Sequence, residues 1–125
     1  MLESLIGKTN TVTTQVTTKN TAKAVGSGSL YVFSTPMMVA LMEQAACGCF
    51  ANSLAANETS VGTQVNVAHI AASKVGMEVS ATATVTAVDG RKVSFDVVAH
   101  EGEKEVGKGT HERFVVVTEK FMARL

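Results

Sequence analysis

Charge is scarce in the middle of this chain. Between Lys23 and Glu58 there is no Asp, Lys or Arg, and one Glu, Glu43. Tryptophan is absent, tyrosine and proline occur once each, and there are two cysteines. Each scarcity excludes something. Lys and Arg balance Asp and Glu at 11 each, and this lack of a basic excess argues against a nucleic-acid or anionic-membrane partner. Cys47 and Cys49 are two apart on a predicted helix, so they point in different directions and suit neither a disulfide nor a zinc ligand set. They read as reduced, small, partly buried residues, and no metal site is expected. No P-loop, G-x-S-x-G elbow, H-E-x-x-H or nicotinamide fingerprint is present. The opening MLESLIGK lacks the basic start and long apolar core of a signal peptide, and no predicted helix suits a membrane span. A cytoplasmic location is the expectation.

What is there suits one domain over residues 1–125, with 46% hydrophobic residues to build a core. Thr-rich Asn10 to Ala22 reads as an exposed or edge strand. Gly/Ser-rich Val25 to Leu30 reads as a connection. Thr35 before Pro36 reads as a helix N-cap followed by Pro at the first helical position, opening a helix to about Leu54. The period then changes to two. Val61, Val65, Val67 and His69 are expected on one face of a strand from about Gly62 to Ala71. Alternation from Val79 to Ala87, an Asp89-Gly90 turn, alternation from Val93 to Ala99, and a long strand from Val106 to Val117 follow. Gly107 and Gly109 mark a bulge or close packing on the helix. One helix over one curled antiparallel sheet is an α+β arrangement of the hotdog type. A single helix leaves apolar surface uncovered, so a homodimer is expected, with a tetramer also compatible.

On a helix beginning at Pro36, Glu43 falls on a stripe with Val39, Ala46, Cys47, Phe50 and Leu54. Two readings stand: a carboxylate that emerges at the helix side or pairs across a dimer interface, and an acid or base tuned by a cleft. Thr35 is explained as a cap. The same position puts a hydroxyl at the positive end of the helix, where an oxyanion is stabilised. His69 reads either as a hydrogen-bonded core residue or as part of a site. His100 and His111, beside charged turns and strand ends, read as solvated.

The stretches VFSTPMMVALMEQAA, SVGTQVNVAHIAAS and GKGTHERFVVVTEKF resemble the hotdog thioesterases related to fluoroacetyl-CoA thioesterase. The resemblance spans almost the whole chain and includes a hydroxyl residue opening the helix, a Glu eight residues on and a His twenty-six after that. It implies an acyl-CoA thioesterase with Thr35, Glu43 and His69 as the catalytic set, and Gly62 and Arg113 as substrate-binding residues. It also implies no cofactor, since coenzyme A is part of the substrate. The stretch before the helix, AKAVGSGSLYVF, is shorter than in the fluoroacetyl enzyme and holds only Tyr31 and Phe33 as aromatics. A short or medium acyl-CoA is therefore the expected substrate. The alternative is a non-catalytic acyl-CoA-binding or ligand-sensing module. A hydratase of the same fold is disfavoured because its Asp/His helix pattern is missing.

Overall fold

The computed structural model describes residues 2–125; Met1 lies outside the described residues. Five strands form one antiparallel sheet: β1 (Thr9–Gln15), β2 (Glu58–His69), β3 (Glu78–Asp89), β4 (Lys92–Glu101) and β5 (Lys104–Val117). Their order across the sheet is β1-β3-β4-β5-β2. A short helix α1 (Ala22–Val25), the long helix α2 (Thr35–Gly48) and a terminal helix α3 (Thr118–Ala123) complete the main elements.

The inner face of the sheet follows from alternation. Val79, Ala81, Ala83 and Val85 on β3, and Val93, Phe95, Val97 and Ala99 on β4, are buried; between them lie Ser80, Thr82 and Thr84 on β3 and Ser94, Asp96 and Val98 on β4. Opposite them α2 buries Met38, Leu41, Met42, Ala45 and Ala46, spaced three and four apart. Each large side chain removed from water contributes about 1.5–3 kcal/mol. The alanines on β3 let α2 lie close to the sheet, and it packs chiefly on β3 and β1. This is the helix-on-sheet arrangement expected.

Several expectations are corrected. The Thr-rich strand stops at Gln15, because Thr17 and Thr21 cap short helical segments instead of extending it. Helix α2 ends at Gly48, six residues earlier than expected, and α3 was not anticipated. The buried side of α2 is not the Val39–Glu43–Cys47 side: Cys47 is exposed and Cys49 buried. Glu43 thus projects from the flank of the helix.

The strand after the helix does not pair with the next strand in sequence. It crosses to the far edge and pairs with β5. Its register shifts between Gly62 and Gln64, where Thr63 is inserted. The shift reverses the alternation, as an odd insertion must. Val61 lies opposite Phe114 on the outer face, while Val65, Val67 and His69 lie opposite His111, Gly109 and Gly107 on the inner face. Val61 therefore does not share the face of the other three.

Gly107 and Gly109 serve close packing: a side chain on the first would meet Met38, and on the second the backbone of Asn66 and Val67. Backbone cannot give way as a side chain can. Gly109→Ala is expected to lose about 1–3 kcal/mol of stability, read as a lower urea midpoint; an unchanged midpoint would show that β2 is free to shift.

Candidate active site

The start of α2 is capped one residue earlier than expected. Ser34 is the N-cap, and its side chain accepts from the Met37 backbone N–H at 3.3 Å. Thr35 and Pro36 are the first two helical residues. Thr35 is thereby released from capping, and its Oγ1 lies 2.8 Å from Nδ1 of His69, the last residue of β2. The other ring nitrogen of His69, Nε2, is buried without a partner among the described residues. Burial pushes the His69 pKa below the usual imidazole value.

A cavity of about 310 Å³ opens beside this pair. Ala22, Ser27, Val32 and Phe33 line it from the stretch before α2, and Ile70, Ala71 and Ala72 from the stretch after β2. Phe33 is part of the buried core, whereas Tyr31 stands outside with the Lys23 ammonium 5.0 Å from its ring centre.

Glu43 sits two turns further along α2, about 12 Å along the helix axis from Thr35 at 1.5 Å per residue. Neither Thr35 nor His69 is its partner. Its Oε2 accepts from Nη1 of Arg113 at 3.2 Å. Arg113 is 6% exposed. Its Nε donates to Ser60 Oγ at 2.8 Å, Nη2 to the Ser60 carbonyl at 3.1 Å, and Nη1 also faces His111 Nε2 at 3.3 Å. Arg113 is thus neither a surface residue nor paired with Glu112 or Glu119. Gly62, directly across the ladder from Arg113, faces the same carboxylate, and a Cβ added there would collide with Glu43 Oε2. Among the described residues, no group of three or more His, Cys, Asp or Glu side chains converges as a metal site.

His111 departs from expectation most. It is buried, stacked on the Phe95 ring at 5.7 Å, with Nδ1 2.7 Å from the Gln64 carbonyl. Its two-residue spacing from Arg113 on one strand was the available signal that both face inward. Ser60 had no such signal, because its face depends on the bulge.

A family model described as fluoroacetyl-CoA-specific thioesterase (FlK) matches residues 16–119. The chain belongs to this family of thioester hydrolases. Members and neighbours agree in fold. The fluoroacetyl-CoA thioesterase of Streptantibioticus cattleyicolor is 46% identical over 94 residues, covering 75% of this chain and 68% of that protein. A solved structure of a fluoroacetyl-CoA thioesterase superposes with a TM-score of 0.89 at 38% identity, covering 95% of this chain and 93% of that one. A mutant of that enzyme has been solved in complex with fluoroacetate and CoA. A hot-dog-like protein from Thermanaerovibrio acidaminovorans reaches 0.88 at 26% identity, covering 98% and 93%. No described helix of this thioesterase-family chain is long and apolar enough to cross a membrane.

Burial lowers the pKa of both His69 and His111. The unfolded chain therefore takes up protons that the folded one refuses, and stability falls on acidification. The contribution is complete above the ordinary imidazole value of about 6.5 and is lost as pH drops from there through the lowered values. Melting temperature is expected to decline from pH 6.5 to 5. His69→Asn and His111→Asn should each flatten that decline; a slope unchanged in both variants would refute it.

Proposed function

We propose that this enzyme, one hotdog thioesterase domain over residues 1–125, hydrolyses a short or medium acyl-CoA to the free acid and CoA. The observation that carries the reading is the half-exposed Glu43 carboxylate, fixed on one oxygen by a buried guanidinium. It faces a place on the sheet where Gly62 supplies no side chain. Arg113 engages Oε2 and leaves Oε1 for chemistry. Thioester cleavage needs such an oxygen. Either Oε1 takes a proton from water as the water oxygen bonds to the carbonyl carbon, or it bonds to that carbon itself and water hydrolyses the resulting anhydride. In both routes the C–S bond breaks, CoA leaves as a thiolate that a proton then neutralises, and Glu43 is regenerated. The backbone N–H groups at the start of α2 offset negative charge on the carbonyl oxygen, while the Thr35 hydroxyl donates to His69 Nδ1 and so leaves the ring proton on Nε2. His69, through Nε2, serves the leaving sulfur. Gly62 and Arg113 bind the substrate indirectly, by leaving room beside the carboxylate and by aiming it.

One thioester cannot meet both Glu43 and the Thr35–His69 pair within one chain, given their separation along α2. A homodimer removes the difficulty. Strand β2 is an edge strand of 12 residues. Paired antiparallel with its copy about Asn66, it brings the partner's His69 to the Gly62–Thr63 end of this strand. The site then combines Glu43 of one chain with the threonine and histidine of the other, and the CoA portion lies along the boundary.

Thiol release across fluoroacetyl-, acetyl-, butyryl-, hexanoyl- and octanoyl-CoA is the direct test. Turnover is expected, with the highest kcat/KM among these chains; binding without thiol release for every one would leave a non-catalytic module. Glu43→Gln keeps an oxygen for Arg113 and removes the charge. It should retain the fold and acyl-CoA binding and lose at least about a hundredfold in kcat; near-normal turnover would return Glu43 to a structural role.

Co-expression of Glu43→Gln with His69→Asn tests the shared site. Random pairing makes half the dimers mixed, each with one intact site of two, so about a quarter of wild-type activity should return. No recovery would place the three residues in separate, single-chain roles.

A further inference from the structure

We propose that His111 is a positioning residue for the reaction: as the neutral Nδ1–H tautomer it accepts a hydrogen bond from Arg113 and so aims the guanidinium at Glu43. The inference rests on Glu43 as the reacting carboxylate.

The tautomer follows from the partners. A carbonyl oxygen only accepts, so the 2.7 Å contact to Gln64 requires the proton on Nδ1. Nε2 is then a lone pair, and it faces Nη1 of Arg113 at 3.3 Å. A guanidinium has only donors, so this arrangement is favourable for the neutral ring alone. A second proton on the ring would set N–H against N–H and cation against cation. Burial and the neighbouring guanidinium both lower the imidazole pKa, in agreement with a neutral ring. The charged groups acting on it are Arg113 and Glu112 from β5 and Glu43 from α2. Strands β2 and β4 contribute the uncharged Gln64 carbonyl and the Phe95 ring.

The ring has little freedom to do otherwise. It is 1% exposed and stacked on Phe95, which is itself packed edge-on against Phe50. Four N–H groups of Arg113 are thereby assigned, two to Ser60, one to His111 and one to Glu43. A planar fork held at that many points cannot rotate, so the direction of its Glu43 contact is set from behind. Nη1 is the shared atom: one of its hydrogens goes to the imidazole and the other to the carboxylate. Losing the imidazole acceptor frees Nη1 to swing and releases Glu43 with it. On acidification the same loss occurs by protonation, so turnover falls as His111 takes a proton.

Two substitutions separate the two ends of the ring. His111→Asn keeps a donor near the Gln64 carbonyl and removes the acceptor for Arg113. His111→Gln places a carbonyl oxygen near the Nε2 position and keeps that acceptor. Displacement of a reacting group by about 1 Å costs up to about a hundredfold in rate. His111→Asn is expected to fold and to lose about ten- to a hundredfold in kcat with KM little changed. His111→Gln should restore most of kcat at neutral pH and lose the share of the acid-side decline that belongs to His111. Equal losses in both variants, tracking their melting temperatures, would overturn the proposal, as would normal turnover in His111→Asn beside an inactive Glu43→Gln. An active Glu43→Gln would instead signal failure of the proposed function. Should His111→Asn fail to fold, nitrogen-15 shifts of the native ring decide: a proton on Nδ1 alone at neutral pH supports the assignment, and a proton on Nε2 overturns it.

Discussion

A buried guanidinium needs acceptors, and much of this site is arranged around supplying them to Arg113. Leaving a buried charge unpaired costs about 3–5 kcal/mol. The chain meets that demand with the Ser60 hydroxyl and carbonyl, the His111 ring and the Glu43 carboxylate. Glu43 is the charged one of these, and it reaches solvent with its side chain 38% exposed. The ion pair is therefore partly screened and adds little to stability. Its consequence is geometric: the guanidinium is immobilised by neutral partners on one side and presents a fixed edge to the carboxylate on the other.

That arrangement depends on one inserted residue. Without the shift at Thr63, a single alternation would run through β2, and Gly62 could not face inward together with Val65, Val67 and His69. With it, the strand presents Gly62 beside Arg113 at one end and His69 at the other, both toward α2. The helix is antiparallel to this strand, so its first residue meets His69 and its ninth meets the Gly62 end. The Thr35–His69 and Glu43–Arg113 pairs are thus held at opposite ends of one helix–strand contact. A dimer two-fold beside the middle of β2, on the open edge of the sheet, would bring each pair next to the other pair of the partner.

The stretch before α2 illustrates how local chemistry and site chemistry share residues. Ser34 satisfies the helix N-terminus, which frees the hydroxyl of Thr35 for His69. The backbone between Thr21 and Phe33 is tied down by bridges to its own start and to Lys74. Small side chains at Ala22 and Ser27 leave the cavity beside Thr35 open. The cavity beside Thr35 is consequently shaped by residues of low bulk on a stretch whose two ends are fixed.

Much of this was legible in order. The switch from a helical to a two-residue period, the Asp89-Gly90 turn and the Ser/Thr-Pro helix start are local signals, and local backbone preferences decide them. They determined that one helix covers one antiparallel sheet, and the resemblance carried by Thr35, Glu43 and His69 determined the reaction class. The isolated charge of Glu43 marked its importance without telling what it touches. Its partner is seventy residues away on β5, next to which β2 pairs after crossing to the far edge of the sheet. Pairing partners across a sheet depend on the summed packing of both faces, and no local pattern encodes that sum. The same holds for His111, whose neighbouring charges in sequence suggested solvent and whose ring instead lies buried. Only the tertiary structure decided that Arg113 holds Glu43, that a bulge aims Gly62, and that the helix stripe bearing Glu43 is a flank and not the core, because each is set by which surfaces meet after the chain has closed on itself.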